Sequence, residues 1–73
     1  MIKYIVIDHE MSSSRVYDNK QDVMVAMGGE PGETTFKQTV ESGEGVFELI
    51  EINSKGELKY LLEVEKYNFP NYL

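Results

Sequence analysis

Asp8-His9-Glu10 holds the one histidine of the chain between two carboxylates, a grouping that can serve as a general base or bind a metal. Its local setting works against both roles. Consecutive residues on a strand point to opposite faces, so Asp8 and Glu10 converge while His9 turns away. No second histidine and no cysteine exist to complete a transition-metal site. A solvated turn after a first strand accounts for all three residues.

The other chemically suggestive stretches fare no better. Asp18-Asn19-Lys20-Gln21-Asp22 offers oxygen donors but lacks the glycine and the distal glutamate of a calcium loop, and helix capping explains it. Gly28-Gly29-Glu30-Pro31-Gly32-Glu33 is glycine-rich like a phosphate cradle. It has no Gly-Lys-Ser/Thr ending, it follows a helix instead of a strand, and its glutamates repel phosphate. Ser12-Ser13-Ser14 supplies hydroxyls with no Ser-His-carboxylate arrangement around them. The expectation is a protein that is not an enzyme, with no catalytic residue, no cofactor and no metal.

Charge is more informative. The 73 residues carry 13 acids against seven Lys and Arg, a formal net charge of −6. Between Glu30 and Glu51 six carboxylates face the single base Lys37. Such a chain is repelled by nucleic acid phosphates and by anionic membranes, so no direct nucleic acid and no membrane partner is expected. The expected partner is another protein with a basic surface, including one that itself binds nucleic acid. The longest aliphatic run, Ile5-Val6-Ile7, is far short of a membrane span or signal core. A chain starting at Met1 with no cysteine and no export signal points to the cytoplasm.

A chain of this length forms one small domain over residues 1–73, burying only roughly 60% of its unfolded surface. Met1 to Asp8 is rich in β-branched and aromatic residues and apolar on both faces, which predicts an interior strand. Arg15-Val16-Tyr17 returns as a short second strand. Asp18 and Gln21 have the spacing of a capping box, Val23, Met24 and Met27 line one side of a short helix, and Gly28-Gly29 stops it. Thr34 to Val40 reads as a strand on its threonines and valine.

Val46 to Asn53 and Glu57 to Tyr67 flank Ser54-Lys55-Gly56, a three-residue hairpin loop. Pairing Asn53 with Glu57 sets Ile52 against Leu58, Ile50 against Tyr60, Glu48 against Leu62 and Val46 against Val64 on one apolar face. Glu51 then meets Lys59, Leu49 meets Leu61 and Phe47 meets Glu63 on the other.

These elements predict an α+β fold. It is a mostly antiparallel sheet of four to five strands with one short helix on one face, in the order β(β)αβββ. The alternative makes 34–40 a helix, giving β-α-α-β-β with a helix-turn-helix. Under it, Tyr17 to Phe47 faintly resembles the small modular helix-turn-helix repeats attached to homing endonucleases, through Tyr17-Asp18, Val23, Met27-Gly28 and Thr39-Val40. That resemblance implies nucleic-acid binding, but Lys37 alone stands where those modules carry a basic recognition helix.

The expected function is that of a small acidic protein-binding module. Bacteriophages and mobile elements encode inhibitors of this kind, which occupy a basic, nucleic-acid-binding surface of a host protein. Carboxylates at alternate strand positions repeat at about 6.7 Å, near the roughly 7 Å between next-but-one phosphates of a DNA strand. The expected contact residues are Glu41, Glu44, Glu48 and Glu51, with Phe47, Leu49 and Leu61 on the face not assigned to the helix. Phe69 and Tyr72 join them from an aromatic tail over residues 68–73. The alternative is a structural or assembly subunit, a homodimer joined through Phe47, Leu49 and Leu61.

Overall fold

The computed structural model describes residues 1–63. Val64, Tyr67, Phe69 and Tyr72, with the rest of the aromatic tail, lie outside the described residues. Six elements follow in order: β1 (Lys3–Asp8), β2 (Ser13–Tyr17), α1 (Lys20–Ala26), α2 (Phe36–Ser42), β3 (Phe47–Ile52) and β4 (Leu58–Leu62). The strands form one antiparallel sheet in the order β2-β1-β3-β4, with two short helices, a small α+β domain. β1 is interior, as its two apolar faces require, and pairs with β2 on one side and β3 on the other. β2 and β3 therefore run parallel with β1 between them. A parallel connection must cross a face of the sheet, and α1 and α2 form that crossing.

Each helix is seven residues long and could not persist alone in water. The cap of α1 is Asn19, one residue later than expected. Its side-chain oxygen accepts from the Asp22 amide at 2.8 Å, and its amide group donates to the Asp22 carboxylate at 2.9 Å. Gly28, at φ 85°, ends the helix with two bonds. Its own amide donates to the Val25 carbonyl and the Gly29 amide donates to that of Met24, a left-handed cap that a side chain at Gly28 would strain.

The segment 34–40, expected as a strand, is corrected to helix α2. Thr35 and Gln38 cap it reciprocally. The Gln38 amide donates to the Thr35 hydroxyl at 3.1 Å, and the Thr35 amide donates to the Gln38 side chain at 2.9 Å. Thr39, which argued for a strand, donates its hydroxyl to the Thr35 carbonyl at 3.0 Å, so its polar group is satisfied inside the helix. A Cβ on Gly29 would collide with the buried Thr39 side chain, its Cγ2 lying 2.7 Å away. The missing side chain lets the helices close on each other.

The β3–β4 turn forms as read. Gly56 is left-handed at φ 83°, and the Asn53 amide donates to the Glu57 carbonyl at 3.1 Å. Ile52–Leu58, Glu51–Lys59 and Ile50–Tyr60 pair as expected. A bulge beyond Ile50 then puts Leu62, not Leu61, opposite Leu49. Because a bulge inserts one residue, Leu61 and Leu62 both pack against the core.

That core lies on the other side of the sheet from the one expected. Leu49 is fully enclosed, with Tyr4, Val6, Val23, Met27 and Val40 around it, and Phe47, Leu61, Tyr17 and Phe36 packed against the cluster. Phe47, Leu49 and Leu61 are thus core residues beneath the helices, and their expected place on the uncovered face is corrected. The hairpin register sorts residues into two faces but does not select which one the helices cover.

Burial lifts the Tyr4 phenol above its ordinary 10.0, and the Glu51 carboxylate opposite it on β3 adds to the shift. The folded state thus holds the phenolic proton more tightly than the unfolded chain. This stabilisation is complete below the unfolded value of about 10 and is lost as pH rises through the raised folded one. Urea unfolding from pH 9 upward will show stability falling past pH 10, with the fall reduced in Tyr4→Phe. In the same assay at neutral pH, Leu49→Ala will cost about 2–5 kcal/mol, whereas Leu58→Ala on the opposite face will cost under about 1 kcal/mol.

Candidate protein-binding surface

Alternation along each strand fixes what the second face of the sheet presents. β1 contributes Lys3, Ile5 and Ile7, β2 contributes Ser14 and Val16, β3 contributes Glu48, Ile50 and Ile52, and β4 contributes Leu58 and Tyr60. In register, Val16, Ile5, Ile50 and Tyr60 form one continuous row across all four strands. Beside it run Ile52 and Leu58, with Lys3 at the end of that second row. No described element covers this face. Val16 is 57% exposed, Leu58 59% and Tyr60 50%. Ile50, at the centre of the row, is buried, and Ile5 and Ile52 are partly exposed, so the apolar exposure lies on the two outer strands.

The polar groups of this face gather at its ends. Lys3 marks one end, and Glu48, paired with Ile7, marks the other. His9 reaches this second end, where its Nε2 lies 2.8 Å from Glu48 Oε1. Asp8 has turned to the opposite side, and its carboxylate accepts the amides of Glu10 and Met11 to close the β1–β2 turn. The Asp8-His9-Glu10 grouping is therefore divided between a turn and the sheet face. Among the described residues, no three His, Asp or Glu side chains come together in a way that could hold a metal.

The acidic candidates do not form one row. Glu41 is exposed on α2, and Glu44 lies in the loop that follows it. Glu48 belongs to the open face, while Glu51, three positions on, points to the helix side opposite Tyr4. Strand alternation forbids Glu48 and Glu51 from sharing a face, so the phosphate-like spacing is not presented. Phe69 and Tyr72 lie outside the described residues. Val16, Ile50, Leu58 and Tyr60 were not singled out as contact residues, although the hairpin register had already placed the last three on one apolar face.

A concavity of about 160 Å³ lies on the helix side among Val6, Asp8, Arg15, Tyr17, Ala26 and Phe47. It is small beside the roughly 300–1,000 Å³ of ligand pockets. On α2 the exposed charges are Lys37 and Glu41, which cancel, so the helix pair offers nucleic acid no basic face. Among the described residues, no helix is long and apolar enough to cross a membrane. Comparison with family models, with curated proteins and with solved structures found no match to this chain.

The His9–Glu48 pair is partly solvated, with side chains 40% and 22% exposed, so it orients the two groups more than it holds the fold. His9→Ala will change unfolding free energy by under about 1 kcal/mol, measured by urea denaturation at neutral pH.

Proposed function

We propose that this chain is a small, acidic, non-catalytic protein-binding module that docks through the open face of its sheet. The observation that supports the reading is the row Val16–Ile5–Ile50–Tyr60, flanked by Leu58 and Ile52, in which Ile50 is buried while Val16, Leu58 and Tyr60 on the two outer strands stay half-exposed. Completing the burial of half-exposed side chains such as Val16, Leu58 and Tyr60 stabilises a complex by roughly 1 kcal/mol each. A tyrosine set among aliphatic residues is a characteristic interface anchor.

The net charge of −6 supplies the second element of the reading. The carboxylates from Glu30 to Glu44 belong to the helices and their loops, not to the apolar face. They act at range, speeding encounter with a partner that carries basic groups around its docking site. Proteins that bind nucleic acid carry such surroundings, and an inhibitor of the kind bacteriophages encode is the version of this function that the charge favours.

Tyr60→Lys and Val16→Lys are expected to abolish capture of a partner by the tagged protein while leaving the circular dichroism spectrum unchanged. Val25→Lys, at an exposed position of α1, is expected to leave capture intact. Capture that survives both open-face substitutions would refute docking through this surface. Rising salt should slow association, since the acidic groups act at a distance.

A further inference from the structure

We propose that the concavity beside the end of α1 binds a small zwitterion, a free α-amino acid with a short aliphatic side chain. The site lies on the helix side of the sheet and is independent of docking through the second face.

The concavity exists because α1 is too short for the strands it covers. Its seven residues span about 10 Å, whereas the six of β1 span roughly 20 Å. The helix starts beyond Tyr17 and ends at Ala26, whose methyl group stands at the margin of the uncovered part. Val6 supplies the buried part of the lining, and Phe47 and Tyr17 are its half-buried sides.

The polar part of the lining carries one charge of each sign. Val6 pairs with Arg15 and Asp8 with Ser13, so Arg15 and Asp8 are diagonal neighbours on one side of the sheet, roughly 7–8 Å apart. An arginine side chain can span that distance, yet the two do not pair. Among the described residues the close acid–base contact is His9–Glu48. Asp8 gives one carboxylate oxygen, Oδ1, to the amides of Glu10 and Met11 at 2.9 and 3.1 Å. The turn thus fixes the carboxylate, and Oδ2 accepts no hydrogen bond among the described residues. The exposed Arg15 guanidinium offers parallel N–H donors of the kind that hold a carboxylate.

A ligand with an ammonium and a carboxylate on one carbon closes the gap that these two side chains leave. Its carboxylate faces Arg15, its ammonium faces Asp8, and its side chain rests on Val6, Ala26 and Phe47. Both α-groups must be free to meet both charges, which excludes a residue inside a peptide. The net charge of −6 disfavours a simple carboxylate, whereas a zwitterion carries no net charge for that field to repel. The volume of about 160 Å³ is close to the roughly 150 Å³ of a cavity that holds benzene, which suits one small branched side chain.

The test is a titration of the full chain with L-valine, followed through the backbone amides in two-dimensional NMR spectra. Saturable shifts are expected at Asp8, Ser13, Arg15, Ala26 and Phe47, with Leu58 and Lys59 on the far edge strand unmoved. L-valinamide and N-acetyl-L-valine each lack one charge and should bind about fivefold more weakly. Arg15→Gln should cost valine about fivefold and leave valinamide unchanged. Asp8→Asn keeps the turn acceptor and should cost valine about as much, leaving N-acetylvaline unchanged. Ala26→Leu fills the concavity and should abolish the shifts, while Tyr60→Lys should preserve them.

Shifts that stay linear up to about 50 mM valine, weaker than any millimolar site, would overturn the proposal. Equal affinity for valine, valinamide and N-acetylvaline would overturn the two-charge arrangement. Saturable shifts confined to residues outside the concavity would overturn its location. Loss of valine binding in a folded Tyr60→Lys would overturn its independence from the second face, whereas failure of that face to dock a partner leaves the site standing.

Discussion

β1 carries apolar side chains on both faces, and the rest of the domain follows from that constraint. A strand of this kind cannot sit at an edge or against water on either side without leaving Tyr4 and Val6, or Ile5 and Ile7, uncovered. Pairing with β2 and β3 satisfies its backbone. The two helices cover Tyr4 and Val6, and Leu49 of β3 completes that side as the most enclosed of the described residues. What remains is the side of Ile5 and Ile7, for which no described element supplies a cover.

The division explains why so short a chain folds with such small helices. Neither α1 nor α2 is long enough to form by itself, and both depend on the covered face. In return, their caps satisfy backbone groups that a buried helix end would leave unpaired, through Asn19 in one and the Thr35–Gln38 exchange in the other. The close approach of Gly29 to Thr39 joins the two helices into one layer. Glu41 and Glu44 sit on and just after this layer, so the sheet's second face carries little of the net negative charge.

The proposed docking role rests on a face that is largely apolar and nearly neutral. The chain has a single histidine, and that residue is engaged with Glu48 at the end of the face. In the proposed reading the apolar side chains supply the energy of contact and the polar groups at the ends of the face orient it.

Much of the architecture was legible in the residues. Alternation and β-branching marked β1 as interior, Ser54-Lys55-Gly56 fixed the hairpin and its first three pairs, and Gly28-Gly29 stopped α1. These are local effects of backbone sterics and side-chain periodicity, so a single chain reveals them. The identity of 34–40 was nearly legible. Thr35 and Gln38 have capping-box spacing, but β-branched composition outweighed it, since the hydroxyl bond that accommodates Thr39 in a helix cannot be seen in composition. The bulge beyond Ile50 and the choice of covered face were decided only in three dimensions. Period-two sorting yields two faces and is symmetric between them, and only the path of the crossover and the volumes of Tyr4, Leu49 and Phe47 break that symmetry. The sequence therefore determined which side chains stand together, and the tertiary structure decided which group became core and which became surface.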